Sequence, residues 1–390
     1  MLAESTTGTF LCQRNEPDPL EDAMTRSAPH LLTALLLALT TAACTDHGAA
    51  PQRAAADAGA PPAGGEWTLE LAAELGEKLG GVTLADLDPD VPGDELAVLG
   101  SSGRVWSLAW SDDAWVVTEL AHLPGEGIVV VGGELDGRPG DELVVGGMAS
   151  GGEDDGGEGS LRLLSRGDDG WSVRELQRSP ALVHGACLLD WDADGQLDVA
   201  AAGFAQQLVL ASRGADDWSV RVLGELPAAA KSLVPWQGGV ALALTDGQVL
   251  GAAPADGGCA FRSIDRALAG RARLASAGEQ LLIASDDGSL ILTGDAGPRE
   301  LHHSSDKLRG AALADLLPGS SGLEAATVGY DGRVLLLTDL EHEPLTSVLH
   351  TDGDRLHHLA SGSLRAKGDG MFLVAVGYSG RVIVLRAPGG

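Results

Sequence analysis

Four aspartates recur within one short loop of the chain, and their spacing is suited to binding a metal ion. The segment reads Asp190-Trp-Asp-Ala-Asp-Gly-Gln-Leu-Asp198, with carboxylates at alternate positions and a glycine where the chain must turn sharply. This order of oxygen ligands is typical of Ca²⁺ loops. Two carboxylates about 5 Å apart repel each other by roughly 3 kcal/mol at an effective dielectric constant of about 20, so a cation would hold such a loop together. The candidate ligands are Asp190, Asp192, Asp194, Gln196 and Asp198, and the alternative is an acidic turn exposed to solvent.

Two earlier segments are weaker versions of the same loop. In the first, the alternating acids are Asp86, Asp88 and Asp90. Two inserted residues displace Gly93 and Asp94 from the expected register, so calcium binding there stays open. The second segment, residues 134–143, carries Arg138 among its acids, which argues against a bound cation.

A repeated sequence segment that begins with tryptophan, the tryptophan segment, identifies the elements that position these loops. It alternates apolar and polar residues, which is the period of a half-buried strand. Full copies begin at Trp67, Trp115, Trp171 and Trp218, and degenerate copies begin at Cys259, Pro298 and Pro344. Repeats of short strands that recur about every 40 to 50 residues are typical of a β-propeller. We therefore predict an all-β fold, a seven-bladed β-propeller over residues 66–390.

Each repeat predicts four strands, and the last repeat lacks one. Tight turns with the sequences SSG, TDG, DDG, YDG and YSG join the second strand to the third and place glycine where a positive φ is needed. The final repeat ends after three strands. The tryptophan segment that begins at Trp67 corresponds to the fourth strand of a repeat. We therefore predict that residues 67–75 complete the last blade and leave no sheet edge open.

Basic residues occupy one position of several innermost strands when the repeats are superposed. They are His184, Lys231, Arg309 and His357, with Arg271 and Arg273 on either side of this position in the fifth repeat. The innermost strand of a propeller starts at the mouth of the central channel. Tyr330 and Tyr378 lie in hairpins that should open on the same face. The pattern predicts a mouth that binds a carboxylate, a phosphate or an acidic side chain, unless the basic residues pair with acids of neighbouring strands.

The aspartate loop and the strand rhythm resemble the FG-GAP, or VCBS-type, repeats of integrin α-chain propellers and of many exported bacterial proteins. The resemblance extends over the first three repeats and continues in the others only as strand rhythm. It implies that calcium in these loops braces the turn and has no catalytic role.

The N-terminal region has the features of a bacterial export signal. Arg26 precedes a short apolar run from Leu31 to Leu39, which is too short to span a membrane. The sequence Thr-Ala-Ala-Cys that ends at Cys44 resembles the lipobox, whose cysteine is lipidated and becomes the mature N-terminus. We expect a lipid on Cys44, although cleavage by an ordinary signal peptidase near Ala43 stays open.

The domain boundaries follow from this signal. Residues 1–23 are polar and acidic and precede Met24, which we expect to be the true start. Residues 24–44 form the lipoprotein signal. Residues 45–65 contain no large apolar residue and should be a flexible tether to the propeller at residues 66–390.

The charge and the cysteine content limit the partners and the compartment. The formal charge of −30 argues against nucleic acid and anionic membrane surfaces as direct partners, because both are bound by basic surfaces. Four cysteines are too few and too scattered for a disulfide framework in a chain of 390 residues. Cys187 and Cys259 are therefore expected to be thiols.

The sequence contains none of the common enzyme motifs that we considered diagnostic of catalysis. The sequence has no nucleophile elbow, no HExxH motif and no glycine-rich phosphate loop. We expect a non-catalytic monomer, held in the bacterial cell envelope by its lipid, that binds an envelope protein or a glycan. The alternative is a propeller enzyme, a polysaccharide lyase or hydrolase, that uses His357 or His184 as a base on an acidic polysaccharide at the channel mouth. A third possibility is a purely structural envelope protein without a ligand there.

Overall fold

The computed structural model describes residues 66–389, except residues 92, 150–156, 216, 266–267, 269, 295–296, 318 and 365–369. The predicted extension, signal and tether, with Cys44, lie outside the described residues. In the described part of the chain, no helix is long and apolar enough to cross a membrane.

The described residues form twenty-eight strands in seven antiparallel sheets of four strands each, which are the blades. Strand β1 (Thr68–Glu74) comes first in the chain and belongs to the last blade. Blade one contains β2 (Leu79–Ala85), β3 (Glu95–Gly100), β4 (Arg104–Ser111) and β5 (Ala114–His122). Blade two contains β6 (Gly127–Gly133), β7 (Glu142–Met148), β8 (Gly159–Gly167) and β9 (Gly170–Ser179). Blade three contains β10 (Val183–Leu189), β11 (Asp198–Gly203), β12 (Gln207–Arg213) and β13 (Trp218–Glu225).

The remaining four blades continue the same order. Blade four contains β14 (Ala230–Trp236), β15 (Gly239–Leu244), β16 (Val249–Ala255) and β17 (Gly258–Asp265). Blade five contains β18 (Ala272–Ala277), β19 (Gln280–Ser285), β20 (Ser289–Thr293) and β21 (Arg299–His303). Blade six contains β22 (Leu308–Ala314), β23 (Glu324–Gly329), β24 (Arg333–Thr338) and β25 (Leu345–Thr351). Blade seven contains β26 (Leu356–Ser363), β27 (Met371–Gly377), β28 (Arg381–Arg386) and β1, so the predicted seven-bladed propeller is confirmed.

The innermost strands of the blades form a closed ring around a central channel. Each contacts the innermost strand of the next blade, in the order β2, β6, β10, β14, β18, β22, β26 and back to β2. A hydrophobic core, mostly of leucine, valine and alanine side chains, lies between each pair of neighbouring blades. Burial of apolar surface contributes about 25 cal/mol per Å², so these seven cores supply the main driving force for the ring.

The recurring tryptophan of the sequence closes these cores from the outside. The outermost strands of blades seven, one, two and three begin with or beside Trp67, Trp115, Trp171 and Trp218. Each indole packs, partly buried, against the core that its blade shares with the preceding blade. In blade four Cys259 takes this place, against the core that contains Cys187, and both cysteines are free thiols as predicted.

Closure of the ring depends on β1. This strand pairs antiparallel with β28 from Thr68 to Glu74. The N–H of Leu75 donates to the carbonyl of Gly380 at 2.8 Å, which extends the pairing to the turn before β28. The indole N–H of Trp115 in blade one donates to Glu70 at 3.0 Å, so β1 also holds the last blade to the first. The predicted closure by residues 67–75 is confirmed.

Deletion of residues 66–75 should unfold or aggregate the protein. The edge of β28 loses its backbone partner, and the core between blades six and seven loses the Trp67 side chain. Deletion of residues 45–65 is the control and should leave the melting temperature unchanged. Circular dichroism melts and light scattering measure both variants. A monomer with the wild-type melting temperature after the first deletion would contradict the closure.

Candidate functional site

The same backbone hydrogen bond marks the entrance of the channel in all seven blades. A residue at the end of the second strand donates its N–H to the carbonyl of the residue that immediately precedes the innermost strand, at 2.8 or 2.9 Å. We call the residues that supply this carbonyl the rim residues. They are Lys78, Glu126, Leu182, Ala229, Arg271, Lys307 and Arg355.

A β-bulge follows the rim residue in six of the seven innermost strands. In each of these strands the register shifts between the first and third residues, which leaves the second residue out of the ladder. These bulge residues are Gly80, Ile128, His184, Lys231, Arg309 and His357. A bulge re-aims its side chain, and the four basic bulge residues are all buried.

Blade five has no bulge, and this changes which arginine joins the inner cluster. The superposition of sequences placed Arg271 and Arg273 on either side of the basic position. Strand β18 pairs with β19 in unbroken register, so that Arg271 is a rim residue and Arg273 is buried further in. Arg273, and not Arg271, is therefore the counterpart of the basic bulge residues.

Basic residues of different blades influence the pKa of the same histidines, which indicates that they lie near one another. Burial is the main cause that lowers the pKa of His184 and of His357 well below the ordinary value. The charge of Arg273 in blade five adds to this effect at His184 in blade three and at His357 in blade seven. Burial and Arg273 also lower the pKa of His358 to about 3. Burial, with these charges in addition, therefore favours the neutral form of all three imidazoles.

Aromatic rings line the entrance beside these residues. Tyr330 and Tyr378 meet edge to face, and their hydroxyl oxygens are 3.2 Å apart. The guanidinium carbons of Arg309 and Arg355 each lie 4.8 Å from the centre of the Tyr330 ring. The ammonium nitrogen of Lys78 lies 4.5 Å from the centre of the Tyr378 ring. Cation–π attraction thus fixes the positions of three cations around the two tyrosines.

A further aromatic residue of the site is not predicted from the sequence. Phe204 directly follows the second strand of blade three and makes the same backbone hydrogen bond as the two tyrosines. The ammonium nitrogen of Lys231 lies 4.6 Å from the centre of its ring, and the His184 ring lies 6.2 Å away. The shared position after the second strand is the signal that identifies this residue.

The rim and the inner position carry more cations than acids. The rim has four cations and one acid, Glu126, and the inner position adds the cations of Lys231, Arg273 and Arg309. Asp286 in blade five lies 3.3 Å from the fully buried guanidinium of Arg309. Pairing with acids of neighbouring strands, the alternative to an anion site, is therefore seen for Arg309.

The aspartate loop lies at the other end of the innermost strand, on the opposite face from the channel entrance. It connects β10 to β11, whereas His184 lies at the start of β10. One oxygen from each of Asp190, Asp192 and Asp194 lies within 4.8 Å of the other two. The Asp190 carboxylate also accepts the N–H groups of Asp194 and Gly195, at 3.0 Å each, which folds the loop around the three acids. Three exposed carboxylates in this arrangement fit the oxygen preference of Ca²⁺.

The other two predicted ligands are placed differently. The Gln196 amide donates to Asp194 at 3.3 Å and so supports the cluster from its side. Asp198 is buried and accepts the N–H of Trp191 at 3.2 Å, and it is not one of the three clustered acids. Burial raises the pKa of Asp198. Asp198 thus lies outside the cluster of three acids and braces the loop, and its role as a calcium ligand stays a prediction.

This brace recurs in three other blades and was not predicted from the sequence. The first residue of the second strand is a buried acid that accepts a backbone N–H from the loop before it. The pairs are Glu95 with Leu87 at 2.8 Å, Glu142 with Leu135 at 2.8 Å, and Glu324 with Leu316 at 2.7 Å. Burial raises the pKa of Glu95 and Glu142 to about 7. A buried acid at the start of the second strand therefore stabilises the loop between the first two strands of its blade.

The corresponding loops of blades one and two are less suited to a cation. Among the described residues, Asp86, Asp88 and Asp90 do not form a cluster like that of blade three. Asp88 instead forms an ion pair with Arg166 of blade two at 2.5 Å. In blade two the clustered acids are Glu134, Asp136 and Glu142. Arg138 lies 3.6 Å from Asp136, so a protein cation already neutralises part of this cluster.

Comparison with known proteins supports the fold. No family model matches the chain, and no curated protein matches its sequence. The WD40 β-propeller domain of Doa1 is similar, with a TM-score of 0.61 and 14% identity over 83% of this chain and 98% of that domain. BBS1N in complex with ARL6DN is similar over 83% of this chain and 96% of its own, with a TM-score of 0.61 and 10% identity in lead-soaked crystals. In mercury-soaked crystals the TM-score is 0.62 and the identity 11%. At these identities the likeness shows the fold alone.

Calcium should raise the melting temperature of the protein, and chelation should lower it again. A ligand that binds only the folded state adds about 2.7 kcal/mol of stability at a concentration of about 100 times its dissociation constant. Asp192→Asn should abolish this shift, because it removes one of the three clustered carboxylates. Asp90→Asn in blade one is the matched control and should keep it. An unchanged wild-type melting curve with and without a chelator would contradict the calcium site.

Proposed function

We propose that the protein is a non-catalytic binding module of the bacterial cell envelope that captures an acidic group of a partner at the channel entrance. The observation that carries this proposal is the concentration of cations at the rim and bulge positions, in a chain with a net charge of −30. An acidic surface repels an acidic partner everywhere except at such an entrance. The field of the whole protein therefore steers a negative group to this point.

The residue types at the entrance support a binding role. Arginine and tyrosine are enriched among the residues that contribute most to protein–protein binding. Arg355 is exposed, and Tyr330 and Tyr378 are half-buried, so all three present accessible surface. Because Arg355 already packs on Tyr330, little side-chain freedom is lost when a partner carboxylate arrives.

The partner is an envelope protein with an acidic segment, or a glycan with uronate carboxylates, since both offer the same charged group. We favour the protein. BBS1N, which has a similar fold, forms a complex with ARL6DN. In this proposal the entrance face binds the partner, and the opposite face, which carries the aspartate loop, binds calcium.

The proposal also includes export of the protein, a lipid anchor and a structural calcium ion. The lipid on Cys44 holds a monomer in the envelope, and the tether at residues 45–65 lets the propeller stand away from the membrane. Calcium at Asp190, Asp192 and Asp194 braces the loop, as the resemblance to FG-GAP repeats implies.

The state of the histidines supports a non-catalytic role. A general base works best with a pKa near the operating pH. Burial and neighbouring cations hold the pKa of His184 and His357 well below that range, so both are weak bases. The propeller enzyme, with one of these histidines as base, is therefore the less favoured function.

The test measures binding of a glutamate-rich peptide and of a polyuronate oligosaccharide to the full chain by fluorescence anisotropy. The double variant Lys307→Ala with Arg355→Ala removes two rim cations and should weaken binding about tenfold or more, because two favourable charge contacts are lost. Arg138→Ala with Arg221→Ala changes the net charge equally at exposed positions away from the entrance and should bind as the wild type.

Two results would contradict the proposal. The first is equal loss of affinity in both double variants, which would assign binding to net charge alone. The second is turnover of the polyuronate that disappears in His357→Ala, which would show an enzyme.

A further inference from the structure

A buried histidine inside the channel entrance has no hydrogen-bond partner in the part of the chain that the structure describes. His357 is 4% exposed, and neither of its ring nitrogens is hydrogen-bonded to any described residue. The Nδ1 of His184 is likewise buried without a partner among the described residues. A buried polar atom without a partner costs free energy, and native structures rarely keep one without a reason. A ligand that forms hydrogen bonds with these nitrogens would relieve that cost.

The surroundings of His357 determine the charge of that ligand. The elements packed around the channel entrance contribute Glu77, Lys78, Glu126, His184, Lys231, Asp246, Arg271, Arg273, Asp286, Asp287, Lys307, Arg309, Tyr330, Asp331, Arg355, His358 and Tyr378. The charged side chains at the buried inner position are Lys231, Arg273 and Arg309, and the nearby acid Asp286 is engaged by Arg309 at 3.3 Å. The His357 ring also lies 6.0 Å from the Tyr378 ring and 5.1 Å from the His358 ring. A ligand that enters here meets guanidinium and imidazole donors, which suit an oxyanion.

We infer that His184, Arg273, Arg309 and His357 form an oxyanion pocket inside the channel, which takes one carboxylate or phosphoryl group and gains a proton on His357 as it does so. The inference rests on the proposed function in using the same entrance, and it adds a deeper contact with a defined chemistry. A neutral imidazole donates from one nitrogen only. Protonation gives the second nitrogen a hydrogen as well, so that the imidazolium donates a charged hydrogen bond to the oxyanion.

The sign of the proton coupling follows from the charges present. Without an anion, burial first, and then the charges of His358, Arg273, Arg309 and Lys78, hold the pKa of His357 well below its ordinary value. A bound oxyanion is a nearby opposite charge, so it raises that pKa. By linkage, a ligand that raises the pKa binds more tightly as the pH falls.

Sulfate is the first probe, because its charge does not change between weakly acidic and weakly basic pH and any pH dependence then belongs to the protein. Calorimetric titration of the full chain should show affinity that rises by up to about tenfold for each pH unit of acidification while His357 titrates. Titrations in two buffers with different ionisation enthalpies should show an uptake of up to about one proton per sulfate.

Two matched variants assign the effect to one histidine. His357→Gln keeps a hydrogen-bonding side chain of similar size that cannot gain a proton, so sulfate should bind weakly and without pH dependence. His303→Gln changes an exposed histidine on β21 and should behave as the wild type. Nitrogen NMR of the histidine rings gives a second readout, since the His357 signals should move to the protonated position on addition of sulfate. This readout uses the wild-type protein and does not depend on the folding of a variant.

The source of the oxyanion is distinguished by parallel titrations with phosphate, acetate and the glutamate-rich peptide. Binding of the peptide at the rim without any binding of sulfate would overturn the inner pocket and leave the proposed function intact. Coupled binding of sulfate or phosphate without binding of the peptide or the polyuronate would support the pocket and contradict the proposed function. Sulfate affinity that is independent of pH, or binding without proton uptake, would overturn the inference.

Discussion

Closure of the ring is the constraint on which the rest of the structure depends. Seven twisted sheets bury their faces against each other only if the last sheet meets the first, and β1 makes this possible by pairing with β28. Without it, the core that contains residues of blades seven and one would lose its outer cover, and a strand edge would be left open. The segment predicted to be a tether, residues 45–65, therefore precedes the closing strand of the propeller in the sequence.

The same ring brings distant residues of the chain to one place. His184 and His357 are far apart in sequence, yet the charge of Arg273 lowers the pKa of both, in addition to the larger effect of burial. The bulges in the innermost strands are the local feature that selects these side chains, because each bulge residue leaves the ladder at the same point behind the rim. Concentrated positive charge in an acidic protein is costly by itself, and this cost is the physical reason to expect a negatively charged ligand.

Much of the fold follows from the sequence, and the limits of the prediction are local. The tryptophan segment predicts the number of blades and the way the ring closes, because each copy lies in the outermost strand and packs against an inter-blade core. The place of Arg273 does not follow, because the missing bulge in β18 shifts the register by one residue and no sequence motif marks it. The brace formed by Asp198 is also hidden, since an acid at the start of a strand looks like one more loop ligand until its burial is known. The place of Phe204 is hidden as well, because the residues after it, Ala205 and Gln206, lack the glycine of the turns that follow Tyr330 and Tyr378. Cys44 and the export signal lie outside the described residues and stay predictions.

The central claim is that the channel entrance holds an oxyanion, and a crystal structure of the full chain soaked in selenate tests it most directly. The anomalous signal of selenium locates the anion independently of the protein density. The expected result is a peak inside the entrance, within hydrogen-bonding distance of His357 and of the Arg273 or Arg309 guanidinium. Anomalous peaks confined to the outer surface, with the His357 ring hydrogen-bonded to a protein acid, would contradict the claim.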